Sequence, residues 1–211
     1  MAYDFKKEYR KFYLPKQQPS LITIPNLQFI AAEGDGDPNE EGGLYQQVVQ
    51  QLYTVAYTLK MSYRSKYKIE GFFEYVVPPL EGLWFQKGPY QGFDITRKDL
   101  LTFISMIRIP DFIQEEDVEW AKEEAFRKKG IDCSRVQYRT YTEGLCVQAL
   151  HIGSYDSEQT TIESMHAYAL QEGYIPDVSP TRLHHEIYLS DPRRSSVDTL
   201  KTVVRHPVRK A

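Results

Sequence analysis

Apolar positions along the chain switch between two periods, and the switches mark its elements. Leu21-Ile22-Thr23-Ile24 and Gln28 to Gly34 alternate as a strand pair hinged at Pro25-Asn26. From about Gly43 to Ser62 the period turns helical. Leu44, Val48, Leu52, Val55 and Leu59 stand 4, 4, 3 and 4 apart and draw one stripe. Gly71 to Gln86, bent at Pro78-Pro79, and Leu100 to Ile109, stopped by Pro110, read as a hairpin of strands. Asp111 to Lys129 is predicted helical, acidic at its start and basic at its end, with Gly130 placed to cap it. Arg135 to Thr142 and Leu145 to Tyr155 then flank Glu143-Gly144 as a predicted tight turn. A helix from Ser157 to Gln171 follows, and strands Arg182 to Leu189 and Leu200 to Arg205 close the chain.

The order of elements repeats. Strand, turn, helix and two strands occur twice, and placing Gly34 on Gly153 and Asp37 on Asp156 needs one offset of 119 residues. The predicted fold class is therefore α+β, built from duplicated strand–helix–strand–strand units with antiparallel sheets and helices on one face. Residues 1–20 form a polar segment before a single domain over 21–211. Within it, repeat one covers about 21–110, a connecting helix about 111–130 and repeat two about 131–206. The face opposite the helices is expected to be left open as a groove.

Charge and composition narrow the partners. The net charge is −3, which gives no basic field for nucleic acid or anionic membranes. No window approaches the about 18 apolar residues of a membrane span, and the start lacks a secretory pattern. Cys133 and Cys146 lie 13 apart with no CxxC partner, so a reducing cytoplasm is expected. A monomer or homodimer is the expected state. Sixteen tyrosines, ten phenylalanines and two tryptophans supply rings for a partly wet pocket that takes a small hydrophobic or aromatic ligand.

Period two sorts the candidate chemistry. On Leu183 to Leu189, one face takes Leu183, His185, Ile187 and Leu189, and the other takes His184, Glu186 and Tyr188. On the strand ending at Tyr155, Leu150 and Ile152 share one face, and His151, Gly153 and Tyr155 the other. The apolar sets are assigned to the helix-covered side, and Glu186, Tyr188, His151 and Tyr155 to the open one. A glutamate walled by rings loses hydration, which raises its pKa and suits it to act as a base or a cation partner. Trp84 and Phe85 face opposite ways, so one is left to line the groove. Tyr53, Tyr57 and Met61 stand at i, i+4 and i+8 beside the main helical stripe, and Trp120 sits in the next helix. No HExxH, Cys/His cluster, P-loop, GxGxxG or GxSxG is present, so neither metal nor cofactor is assigned.

Four stretches resemble the GyrI-like small-molecule-binding family: Glu33-Gly34-Asp35-Gly36-Asp37-Pro38-Asn39, Pro79-Leu80-Glu81-Gly82-Leu83-Trp84-Phe85, Glu116-Asp117-Val118-Glu119-Trp120-Ala121, and His185 to Arg193. The resemblance spans about Leu21 to Arg205 and implies an aromatic cleft between repeats around a buried glutamate, matched here by Glu186. Stand-alone members of this longer type are similar to hydrolases that open strained cyclopropane rings in DNA-alkylating natural products. Two adjacent tryptophans are expected in the second motif, whereas this chain has Trp84-Phe85.

On this expectation Glu186 acts as general base on a water or stabilises positive charge as a ring opens, Tyr155 and Tyr188 donate to a developing oxyanion, and Tyr45, Tyr57, Trp84, Phe85, Trp120 and His151 surround the ligand. Two rival functions are a non-catalytic module that sequesters or senses hydrophobic cations and a protein-interaction module.

Overall fold

The computed structural model describes residues 2–86 and 100–211. The chain runs α1 (Phe5–Glu8), α2 (Arg10–Tyr13), β1 (Ser20–Asp35), α3 (Leu44–Lys60), β2 (Leu80–Gln86) and β3 (Leu101–Arg108). It continues through α4 (Glu115–Lys129), β4 (Gln137–Ile152), α5 (Glu158–Gln171), β5 (Tyr174–Pro176), β6 (His184–Tyr188) and β7 (Lys201–Lys210).

The strands are antiparallel in the order β4-β1-β3-β2-β6-β7, and a further β4–β7 pairing closes them into a six-stranded barrel. Closure removes the sheet edges that would otherwise invite pairing with another chain. The short β5 adds to β7 on the outside.

The duplication is visible in the register of the two 16-residue strands. Ile24 pairs with Gly144. Adding the repeat offset turns Ile24 into Glu143 (24 + 119) and Pro25 into Gly144 (25 + 119), so a pseudo-twofold axis passes through this pair of steps. A second join is made where β2 meets β6, with Gly82 opposite Glu186.

Two expectations about strands change here. Arg135–Thr142 and Leu145–Tyr155 are not a hairpin: Glu143-Gly144 lies inside the continuous β4, where Gly144 takes φ +75° and bends the strand without ending it. Likewise Pro25-Asn26 bends one long β1. Pro25 has no N–H to give a ladder, and the dyad places it opposite the same bend in β4.

Helices α3 and α5 pack on the outside of the barrel. The α3 stripe of Val48, Leu52, Val55 and Leu59 is fully buried in one core with Ile30, Phe103 and Ile107. Ile162, Met165 and Ala169 of α5 cover Val147, Ala149, Val204 and Val208. The opposite face is no open groove. It is the barrel interior, filled at one end by Phe29, Ala31, Leu83, Ile104, Met106 and Leu183. The assignment of faces therefore reverses: Leu183 points inward, Ile152 is exposed, and His184, Glu186 and His151 lie on the helix-covered side. Closing a barrel creates a second buried face, which a strand's alternation does not reveal.

The other end of the interior is ionic. His185 sits 3.0 Å from both Glu143 and Glu81, Arg205 bonds Glu143 at 2.9 Å and Gln148 at 3.0 Å, and Tyr13 donates to Glu81. Burial opposes the charge on His185, but Glu143 and Glu81 outweigh it and hold its pKa up at about 9. For Glu143 burial is likewise outweighed, by His185 and Arg205, and its pKa falls to about 2. The segment before β1 closes this end: Arg205 bonds the Phe12 carbonyl, and the Arg108 guanidinium lies 4.7 Å over Phe5 and 4.1 Å over Tyr9.

Candidate functional site

Glu186 stands on the outer face of β6, beneath the gap between the N-terminal ends of α3 and α5. It is 5% exposed, and His184, its neighbour on the same face, is fully buried. His184 Nε2 lies 2.8 Å from Glu186 Oε1. A second carboxyl meets them there. Glu158, the first residue of α5, is fully buried, with Glu186 and the Thr202 hydroxyl as its polar neighbours. Burial first, then the charge of Glu186, push the Glu158 carboxyl well above the usual carboxylate range.

Two carboxyls this close cannot both ionise cheaply, and burial singles out Glu158 as the one held towards its protonated form. A proton shared between Glu158 and Glu186 would satisfy both. Glu158, His184 and Glu186 bring one ligand-type atom each within 4.8 Å of one another, a spacing a cation could bridge. A shared proton would satisfy both carboxyls without one.

Rings enclose this group. Trp84 Nε1 donates to the Tyr188 hydroxyl at 2.9 Å, Tyr45 lies tilted 5.5 Å from Trp84, and Tyr155 meets Tyr188 edge-on at 5.8 Å. Burial, then the charge of Glu186, raise the phenols of Tyr45, Tyr155 (to about 12) and Tyr188, so all three keep their protons at neutral pH. Tyr45, Tyr155 and Tyr188 are only partly buried and form the approach to the carboxylate. Hollows of about 410 Å³ beside Tyr3 and Phe73 and about 540 Å³ beside Glu33 and Arg139 lie elsewhere on the surface.

Of the residues expected from sequence, Glu186, Tyr188, Tyr155, Tyr45 and Trp84 come together. The others stand apart. Phe85 points to the barrel interior and packs against the cluster of Phe29 and Leu83. Trp120 stacks on Tyr67 at 4.3 Å, and Tyr57 is 49% exposed beside Tyr53. His151 bonds Thr161 and the Ser154 carbonyl, tying the end of β4 to α5. The residue that joins His184 and Glu186 is Glu158, not His151. Glu158 was missed, yet it left a signal: Glu158, Ile162, Met165 and Ala169 share the buried stripe of α5, and a carboxyl in an apolar stripe has a reason to be there.

A duplicated barrel of this topology, with a ring-walled carboxylate under its helices, defines an α+β domain of the effector-binding type. The chain belongs to the GyrI-like family: the GyrI-like small molecule binding domain matches residues 17–209. It is similar to an uncharacterized conserved protein from Listeria innocua, at 44% identity and a TM-score of 0.92, covering 99% of this chain and 100% of that one. A hydrolase encoded by lin2189 from Listeria innocua is 43% identical with a TM-score of 0.91, over 99% of this chain and 100% of the other. The EcmrR C-terminal domain shares the fold alone, at 12% identity and a TM-score of 0.56 over 92% and 98% of the two chains. No curated protein matches. Among the described residues, no helix is long and apolar enough to cross a membrane.

Proposed function

We propose that this protein binds a flat, largely apolar organic molecule against Trp84, Tyr45 and Tyr155 and hydrolyses it, opening a strained cyclopropane ring with water. The observation that carries the reading is the carboxylate of Glu186, 5% exposed, with His184 at 2.8 Å and the buried carboxyl of Glu158 beside it. The family is one of small-molecule binders, and the 43%-identical relative is described as a hydrolase.

In the proposed reaction Glu186 takes a proton from water as the water oxygen bonds to a ring carbon. The ring C–C bond breaks, and its electron pair flows into a conjugated carbonyl oxygen of the ligand. Tyr155 and Tyr188, held protonated by their raised pKa values, donate hydrogen bonds to that developing oxyanion. Trp84 fixes the Tyr188 hydroxyl, and Glu158 keeps Glu186 oriented while adding no second negative charge.

The test is incubation with a cyclopropane-bearing DNA alkylator and detection of the hydrated product by mass spectrometry. Turnover by the wild type and its loss in Glu186→Gln are expected. Equal turnover by the variant would end the reading. Tight binding of hydrophobic cations with no conversion would favour sequestration, in which the same rings and carboxylate neutralise a bound cation.

A further inference from the structure

Beyond the Glu186–His184 contact the hydrogen bonds continue. His184 Nδ1 lies 2.6 Å from His206 Nε2, and His206 Nδ1 lies 2.8 Å from His166 Nε2. His184 and His206 are buried, whereas His166, on α5, is partly exposed. Three imidazoles from β6, β7 and α5 thus run in single file from the carboxylate to the surface, on the far side from the rings that receive the ligand.

We propose that His166, His206 and His184 form a proton relay that exchanges protons between Glu186 and solvent. As a device for resetting a catalytic base it rests on the hydrolytic reading above; as a proton path it stands on the chain of contacts.

The geometry fixes the polarity. With neutral rings and an ionised Glu186, a single assignment satisfies every link: each histidine carries its proton on Nε2 and accepts on Nδ1. Burial suits His206 and His166 to neutrality. Burial, then the neighbouring imidazoles, push His206 well below its ordinary value, and burial, then His184, lower His166.

Transfer inward is balanced in protons. One proton adds to the remaining ring nitrogen of His166, whose Nε2 proton moves to His206 Nδ1. The Nε2 proton of His206 moves to His184 Nδ1, and that of His184 moves to Glu186 Oε1. One proton enters, one is delivered, and each ring ends as its other tautomer. The reverse sequence discharges Glu186. Two buried histidines meeting edge to face would serve packing less well than two aliphatic residues, since each buried ring nitrogen must be satisfied. The line is accounted for by conduction.

The experiment uses the free, full-length protein labelled with ¹⁵N-histidine. Nε2–H tautomers are expected at His184 and His206. The substitution His166→Leu removes the outlet while keeping a helix former of similar bulk. It should slow exchange of the His184 and His206 ring protons with water by about tenfold or more, against the about 10²–10⁴-fold that positioned proton transfer contributes. Backbone amides of β6 and β7 should be unaffected. An Nδ1–H tautomer at His184, or unchanged ring-proton exchange in the variant, would overturn the relay. With a substrate that turns over, His166→Leu should lower kcat more than KM, and added imidazole should restore it. Absence of any turnover in the wild type removes the hydrolytic reading but leaves the exchange measurement to decide the relay.

Discussion

The Trp84 indole donates to the Tyr188 hydroxyl at 2.9 Å across β2 and β6, joining residues 104 apart in the chain and belonging to different repeats. Gly82 makes the contact possible. A Cβ at Gly82 would stand 2.7 Å from Trp84 Nε1 and 2.9 Å from the Tyr188 oxygen. Gly82→Ala is therefore expected to cost about 1–3 kcal/mol by overpacking and to weaken ligand binding by displacing both side chains. Urea denaturation and ligand titration, run side by side, check this. Unchanged affinity would show that the bond does not shape the site.

Glu158 and Glu186 should respond oppositely to loss of charge. Burial and the Glu186 charge raise the Glu158 carboxyl well above its ordinary range, so Glu158→Gln replaces a group held towards neutrality with a neutral one of the same shape. Its stability is expected to stay within about 1 kcal/mol of the wild type, as for other substitutions that conserve shape and polarity. Glu186→Gln should keep the fold and lose turnover. A stability loss of several kcal/mol in Glu158→Gln would mean that Glu158 is ionised in the native protein.

The histidines by themselves favour a stability maximum near pH 6.5, because two kinds work in opposite directions, while Glu158, raised on folding, loses its contribution as pH climbs above about 4.5. His185 has a folded pKa of about 9, above its unfolded value of about 6.5. Its contribution is complete below pH 6.5 and is lost as pH rises through 9, on the order of 3 kcal/mol. His206 and His166 are lowered on folding, so the unfolded chain binds protons more readily than the native state. Their contribution is present above pH 6.5 and lost as pH falls below it. Glu143, lowered to about 2, adds a further loss of stability as pH drops from about 4.5 towards 2. Melting temperatures between pH 4 and 10 test the shape. A curve flat from pH 6.5 to 9 would contradict the charged state of His185.

Tyr13→Phe deletes the hydroxyl that donates to Glu81 at 3.1 Å in the buried network. Glu81 keeps His185 but loses a donor, and the expected cost is about 1–3 kcal/mol. The melting temperature should fall while ligand affinity holds, since Tyr13 lies inside the barrel and away from Glu186.

The helices and the repeat were legible in the chain because they are local. The stripe of Val48, Leu52, Val55 and Leu59 needs only a 3.6-residue period, and Gly130 announces the end of α4 with φ +66°. Barrel closure was not legible, since it depends on β4 pairing with both β1 and β7. For the same reason the sense of each strand face was reversed, while the membership of each face was right: His184, Glu186 and Tyr188 do share a side. The glycine in Glu143-Gly144 signals positive φ, but a hairpin and a bent strand ask the same of it. The polar segment before β1 hid its role in ring positions: Phe5 and Tyr9, four apart, are the pair that Arg108 lies over. His166 and His206 were 40 residues apart, and only the packing of α5 on β7 brings them into line.

The spine made by β1 and β4 has a bearing on any attempt to work with half of this molecule. Each of these strands finds its long neighbour in the other repeat, over eleven paired positions. A fragment cut after Gly130 would carry β1 with one flank bare, a template some sixteen residues long offered to any passing strand. Such halves should clump when made singly and recover when made together.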